Sequence, residues 1–374
     1  MDEVEQNAAS SGYGGRFFCC AKSKSTLRGE NMNLHVRVLK YRPWGVALLA
    51  LLLLTAAGCG GKAPSETNQT TDAADKPLTD VKVVLDWTPN TNHTGLYVAR
   101  DKGFFEKHGL KVEIVSPPET GADPLIASGG AEFGVSYQES ITQARVEKAP
   151  IVSIAAIIQH NTSGFASPAE KSITSPKDFE GKRYGGWGNP VEEAVIASLM
   201  QGEGAEVSKV DFVNGTGDFF TSVKRDIDFA WIFYAWTGVE AELRNEPINM
   251  MYVNQYSDSL DYYTPVLATS EKLIAENPEL VSAFLAAATE GYQFAIDNPQ
   301  EAAEVLIAAE PDLNAELVRA SQEWLQTRYQ DDAPRWGEQK LEVWENYMKW
   351  MLDHQLLSGE IEADKAFTNA FLPQ

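Results

Sequence analysis

Val81-Lys-Val-Val-Leu-Asp-Trp-Thr-Pro-Asn-Thr-Asn-His-Thr-Gly95 contains a strand, the loop that follows it and the start of a helix. Residues 81–86 are a short β-branched run that turns polar at its end, the pattern of a strand. Thr94 opens a helical spacing: Leu96, Val98 and Ala99, then Phe104 and Phe105, with Gly109 as the stop. Residues 110–115 alternate as a second strand and break at Pro117-Pro118. A short helix at 123–127, a buried strand at 133–136, a helix at 140–147 and an apolar strand at 151–158 follow. This β-α-β-α-β rhythm predicts a parallel sheet covered by helices.

The rhythm then restarts. Gly181-Lys-Arg-Tyr-Gly185 leads into a glycine-rich turn and a helix from Pro190 to about Gln201. A strand at 210–213, a helix at 219–224, a buried strand at 229–233 and a helix at 236–243 complete a second α/β unit. From Ser270 onward the pattern is helical, over 279–297, 299–309, 315–326 and 339–357. The expected fold is therefore α/β with two lobes. Residues 81–170 plus 265–374 form the first, with the C-terminal helices packed on it, and residues 171–264 form the second. The chain crosses between them near 166–175 and 263–268. Ligands of open parallel sheets bind beyond the carboxyl ends of the strands, so the loops at those ends should line an interlobe cleft.

Those loops share a chemistry. They carry Asp86, Trp87, Asn90 and His93, then Glu119, then Tyr137, then Trp187, Glu192 and Glu193, and finally Tyr234. None of them contains Lys or Arg. A phosphate or carboxylate ligand would need guanidinium groups or an anion nest. A flat, neutral or weakly basic ligand needs aromatic faces and carboxylate or amide acceptors for its N–H groups. The second description fits. Each residue also has a plainer reading: Trp87 and Trp187 as core aromatics, and His93 as part of the first helix cap. Glu192 and Glu193 behind Pro190 are ordinary first-turn chemistry, which leaves open which of the two faces the cleft. Trp231 alternates with apolar residues and reads as core. Gly185, Gly186 and Gly188 imply close backbone approach or positive φ, without the GxGxxG spacing of a dinucleotide site.

The N-terminal region reads as an address. Arg37, Lys40 and Arg42 precede an apolar run over 44–57, which ends in Ala56-Ala57-Gly58-Cys59. Basic, apolar and small residues in that order make a secretory signal. The run is short of the ~20 residues a spanning helix needs. Its end resembles a bacterial lipobox, which implies cleavage before Cys59 and lipidation of that cysteine. Residues 1–58 are then an N-terminal extension and signal peptide, with Met32 reading as a second start. Residues 59–80, polar and without periodicity, are a flexible tether. The expected location is the extracytoplasmic face of the cell membrane, held by lipid.

Composition excludes several classes. The chain has 374 residues, 44% hydrophobic and 22% charged, with a net charge of −22. Loss of 1–58 leaves 24 basic and 49 acidic residues, a charge of −25, which disfavours nucleic-acid binding. The cysteines are Cys19, Cys20 and Cys59, so the body of the chain holds no disulfide, zinc–cysteine site or cysteine nucleophile. The five histidines show no paired metal-ligand spacing. Neither a metal nor a cofactor is expected.

Residues 85–95, with Lys102-Gly-Phe-Phe105, resemble the opening of the substrate-binding proteins related to fungal hydroxymethylpyrimidine synthase. Gly185-Gly-Trp-Gly-Asn-Pro-Val-Glu-Glu-Ala194, Asp228-Phe-Ala-Trp-Ile-Phe-Tyr234 and Ala333-Pro-Arg-Trp-Gly337 are similar to its bacterial transport branch, which handles formylaminopyrimidine, a thiamin precursor. The resemblance implies a periplasmic-binding-protein fold with a Venus-flytrap cleft. It also implies a thiamin-precursor pyrimidine, formylaminopyrimidine or hydroxymethylpyrimidine, stacked on aromatic rings and delivered to an ABC permease and its ATPase. Carried over by position, Asp86, Trp87, Asn90 and His93 would face the cleft from one lobe, and Trp187 with Glu192 or Glu193 from the other. The synthase branch uses a cysteine-rich motif that has no counterpart after Cys59. Three alternatives remain: the same scaffold carrying riboflavin or another flat heterocycle, a pyrimidine-processing enzyme with His93 and Glu192 as acid and base, and an acidic lipoprotein adaptor.

Overall fold

The computed structural model of the chain describes residues 77–374 apart from residue 216. The signal segment, Cys59 and nearly all of the expected tether lie outside the described residues. Two five-stranded sheets organise what is described. The first has the order β2-β1-β3-β10-β4, from β1 (Thr79–Val84), β2 (Leu110–Val115), β3 (Phe133–Ser136), β4 (Ile151–Ala156) and β10 (Val266–Ser270). The second has the order β7-β6-β8-β5-β9, from β5 (Ser163–Pro168), β6 (Arg183–Gly186), β7 (Asp211–Asn214), β8 (Phe229–Phe233) and β9 (Ile248–Tyr252). Each sheet with the helices on its faces makes one lobe.

The sheets are mixed, not parallel as the alternation of elements predicts. β10 runs antiparallel to both β3 and β4, and β5 antiparallel to both β8 and β9. The reason is where the chain re-enters: Val266 pairs with Ser136 and Ser163 with Phe233, the ends of β3 and β8, so each incoming strand starts at those ends and runs away from them. β5, read from sequence as first-lobe chain, thus belongs to the second sheet. The crossings fall at residues 157–162 and 253–265, ahead of the expected 166–175 and 263–268. β5 reads Ser-Gly-Phe-Ala-Ser-Pro and lacks the β-branched residues that mark strands. Its glycine is required, because a Cβ on Gly164 would meet the Met251 carbonyl oxygen of β9 at 2.1 Å.

The helix expected over 94–107 is two helices, α1 (Thr94–Asp101) and α2 (Phe104–Lys107), broken at Gly103 with φ 75°. α1 and α2 cover one face of the first sheet with α9 (Pro278–Asp297) and α10 (Pro299–Ala309). α3 (Asp123–Ser128) and α4 (Gln138–Val146) cover the other. The second sheet packs against α5 (Pro190–Gly202) on one face, and against α6 (Phe219–Ser222) and α7 (Val239–Leu243) on the other. α8 (Glu271–Glu276) and α11 (Ala315–Leu325) complete the C-terminal run with α12 (Leu341–Asp353). α12 does not belong to the first lobe alone. Its Trp344 lies in a core cluster with Ile126 and Ile141, whereas Tyr347, Trp350 and Met351 pack with Phe165 and Val195 of the second lobe. Among the described residues, no helix is long and apolar enough to cross a membrane.

Candidate functional site

A cavity of about 680 Å³ opens between the two lobes. The loops after β1 and β3 line it from one side, the loops after β6 and β8 from the other, and residues Tyr262, Thr264 and Pro265 of the second crossing complete it. The Thr264–Pro265 bond is cis. A smaller hollow of about 360 Å³ adjoins it, sharing Trp187, Trp231 and Trp236.

On the first-lobe side the loop is built locally. The Asn90 side chain accepts from the Asn92 amide at 2.9 Å, and the Asn90 amide donates to His93 Nδ1 at 3.2 Å, a reciprocal cap that starts the helical turn before α1. Nδ1 being an acceptor leaves Nε2–H to donate to Asp86 Oδ1 at 2.6 Å. Tyr137 donates to the other Asp86 oxygen at 2.9 Å. Burial works against the Asp86 carboxylate, but attraction to His93 and the hydrogen bonds from His93 and Tyr137 outweigh it and hold the group below its usual range. Asp86 is thus an oriented anion at the cavity wall.

On the second-lobe side, Asn189 caps α5 by accepting from the Val191 amide at 3.0 Å, and Pro190 occupies the first helical position. Glu192 is 2% exposed. It accepts from Tyr184 Oη at 2.7 Å and from the Trp187 and Asn189 amides at 3.1 and 2.6 Å. Gly186 passes so close that a Cβ there would meet Glu192 Oε2 at 2.1 Å, and Gly188 takes φ 89°. The glycines and the buried carboxylate together fold the loop so that the Trp187 ring stands 58% exposed in the cavity.

Of the residues singled out in the sequence, Asp86, Trp87, Asn90, Tyr137 and Trp187 line the cavity. The other five do not. His93 is fully buried behind Asp86, and Glu192 is spent on the Trp187 loop. Glu119 and Glu193 are exposed away from the cavity. Tyr234 donates to Glu242 and leans on Trp324, with ring centroids 5.2 Å apart. Sequence reasoning missed Glu139, Asn189, Trp231, Trp236 and Tyr262, all of which line the cavity. Trp231, read as core, does pack into the second-lobe core, yet it also meets Trp187 at 5.8 Å and walls the cavity. It stands mid-strand in β8, the central strand of its sheet, where the alternation reads the same for a core residue and for one that also walls a cavity.

Glu139, in the first turn of α4, accepts from Asn189 Nδ2 across the cavity at a long 3.4 Å. Burial raises its pKa, the Asn189 amide opposes that, and the negative charge of Glu192 adds to it, leaving the group at about 7. No Lys or Arg lines the cavity among the described residues, and those residues hold no cluster of three His, Cys, Asp or Glu that could take a metal. The chemistry on offer is aromatic faces, an oriented carboxylate, a carboxyl that titrates near neutrality, and amides.

Residues 90–302 match the family model described as NMT1/THI5 like. The formylaminopyrimidine-binding protein of Halalkalibacterium halodurans is 30% identical over 329 residues, which cover 86% of this chain and 96% of that one. The chain belongs to that family. The riboflavin-binding protein RibY of Chloroflexus aurantiacus is 24% identical over 360 residues, 90% of this chain and 99% of that one. Among the family's relatives of this chain are also 4-amino-5-hydroxymethyl-2-methylpyrimidine phosphate synthases. In fold the chain is similar to the periplasmic aliphatic sulphonate binding protein SsuA of Escherichia coli, with a TM-score of 0.62 and 12% identity over 77% of this chain and 91% of that one. The family member therefore has the two-lobed periplasmic-binding-protein fold.

Proposed function

We propose that this family member is the solute-binding component of an ABC-type importer. It takes a thiamin-precursor aminopyrimidine into the interlobe cavity and presents it to the permease. Lipid on Cys59 would hold it at the extracytoplasmic face of the membrane. The observation that carries the reading is the cavity wall: two exposed tryptophans from opposite lobes, Trp87 and Trp187, share it with an oriented carboxylate and amides, and no Lys or Arg lines it among the described residues. Aromatic faces suit a flat ring, and carboxylate and amide oxygens suit its N–H groups. The full-length formylaminopyrimidine-binding relative supports the same ligand class.

Binding is favoured over turnover by the state of the two groups that the sequence offers as acid and base. His93 and Glu192 are both buried away from the cavity, with their polar atoms committed to Asp86, Asn90, Tyr184 and the Trp187 loop. A general acid or base must come within hydrogen-bond reach of its substrate. A second reading, riboflavin or a similar multi-ring heterocycle, is favoured by one observation: the cavity and its adjoining hollow, about 680 and 360 Å³, exceed what a single ring fills.

The test is isothermal titration of the full-length protein in detergent, refolded to remove bound ligand, against formylaminopyrimidine, hydroxymethylpyrimidine, thiamin and riboflavin. Tight binding of one pyrimidine, recovered chemically intact, supports the proposal. Conversion of the compound replaces binding with catalysis. A signal with riboflavin alone keeps the transport role and changes the cargo.

A further inference from the structure

Glu139 projects from the first turn of α4 into the cavity, where its Oε1 accepts the long bond from Asn189 Nδ2. Its Oε2 has no hydrogen bond among the described residues. Both oxygens are therefore at the disposal of a ligand that enters between α4 and the Asn189 cap. The groups around it are acidic or neutral. Glu192 lies behind Asn189 on the second lobe, Tyr262 lines the cavity from the crossing, and Tyr347 of α12 stacks on Tyr262 at 4.0 Å. On its own lobe stand Tyr137, bonded to Asp86, and Asp123 of α3, which accepts from the neighbouring Ser140 at 2.6 Å. No Lys or Arg is ion-paired to Glu139 among the described residues.

A carboxyl in such a place has a particular complement. In an aminopyrimidine, a ring nitrogen and the exocyclic amine lie side by side as an acceptor and a donor. A carboxyl group meets that edge with two parallel hydrogen bonds: the amine donates to one oxygen, and the second oxygen shares a proton with the ring nitrogen. The pair needs one proton in all, whether it sits on the carboxyl or on the ring.

Building on the proposed function, we propose that Glu139 reads the ring-nitrogen and amine edge of the bound aminopyrimidine as a shared-proton pair. It displaces its bond to Asn189 in doing so, and binding in alkaline solution takes up one proton. The carboxyl of the empty protein titrates near pH 7, raised chiefly by burial, and the ring nitrogen is a weak base. Above neutrality both partners have therefore lost the proton the pair requires. Linkage then weakens affinity by up to about tenfold per pH unit. Proton uptake rises toward one per ligand over the same interval. An analogue without the amine loses the edge and should bind weakly at every pH.

The experiment is titration of the full-length protein with formylaminopyrimidine from about pH 6.5 to about 8.5, in two buffers of different ionisation heat, so that proton uptake is read directly. The Glu139→Gln protein is measured in parallel. Glutamine presents a donor and an acceptor to the same edge with no proton to exchange. Its affinity should be nearly flat across the range and its proton uptake near zero. Wild-type binding with no uptake, or an E139Q protein that keeps the wild-type pH slope, overturns this inference and leaves the proposed function standing. No binding by the wild type overturns both. The wild-type uptake alone decides the matter if the variant fails to fold.

Discussion

Trp87 and Trp187 line the cavity from loops on opposite lobes and are 68% and 58% exposed. Two exposed indoles lining one cavity form an apolar surface that a ligand can cover. Replacing either with alanine should weaken ligand binding by roughly 1–3 kcal/mol, by analogy with base–aromatic stacking, while thermal melts of the empty protein change little. Unaltered affinity in both variants would remove the sandwich. Glu192 and Glu193 show how neighbours in sequence part company. One is sealed under the Trp187 loop, the other faces solvent, and neither lines the cavity. Both fit the first turn of a helix, but Glu192 stands three residues after the Asn189 cap, where its side chain reaches back to the Asn189 amide. The Trp187 amide, the Tyr184 hydroxyl and the close pass of Gly186 then seal it in.

The pairing of α1 with α9 is the clearest case at the level of elements. α9 presents Val281, Phe284, Leu285, Ala288, Tyr292 and Ala295 along one buried stripe, the spacing that made it legible as a helix. Its Gly291 packs so tightly on α1 that a Cβ would meet the Gly95 carbonyl oxygen at 2.1 Å. Backbone cannot yield as a side-chain end can. Gly291→Ala should therefore cost about 1–3 kcal/mol by overpacking, read as a lower urea midpoint. Gly359→Ala, with nothing within 4 Å of the added carbon, should stay within about 0.5 kcal/mol of wild type. The same close contact holds the loop before α1, since Tyr292 Oη donates to the Asn92 carbonyl at 2.8 Å.

At the scale of the molecule, the two crossings between sheets are joined by His160. Its Nδ1 meets Asp261 at 2.6 Å and its Nε2 meets Asp332 at 3.2 Å, so 157–162, 253–265 and the loop between α11 and α12 share one charged knot. The hydrogen bond to Asp261, with further support from both aspartates, raises the His160 pKa to about 9 against the opposing effect of burial. A raised folded-state pKa contributes stability that is full below the ordinary histidine value of about 6.5 and is lost as pH rises through about 9. Wild type should lose thermal stability over that window relative to its value at pH 6, and His160→Gln should not. Parallel curves for the two proteins would show that the knot contributes nothing.

Much of this was available from the order of residues alone. Alternating and helical periodicities, with glycine and proline at their ends, located α9 and α10 and most of the strands, because those elements bury one continuous face and cannot do otherwise. The polar end of the first strand pattern also marked the Asp86–His93 loop. What the chain order could not carry was anything settled between distant segments. β5 has no β-branched residue to announce it, and its place beside β8 and β9 follows from where the chain re-enters. The end of α12 crosses to the second lobe because Tyr347 and Trp350 find their partners there. Glu139, an ordinary first-turn acid by sequence, acquires its chemistry from burial between lobes and from Glu192, 53 positions away. Periodicity is a property of neighbours along the chain; burial, charge and the shape of a cavity depend on which segments the folded chain brings together.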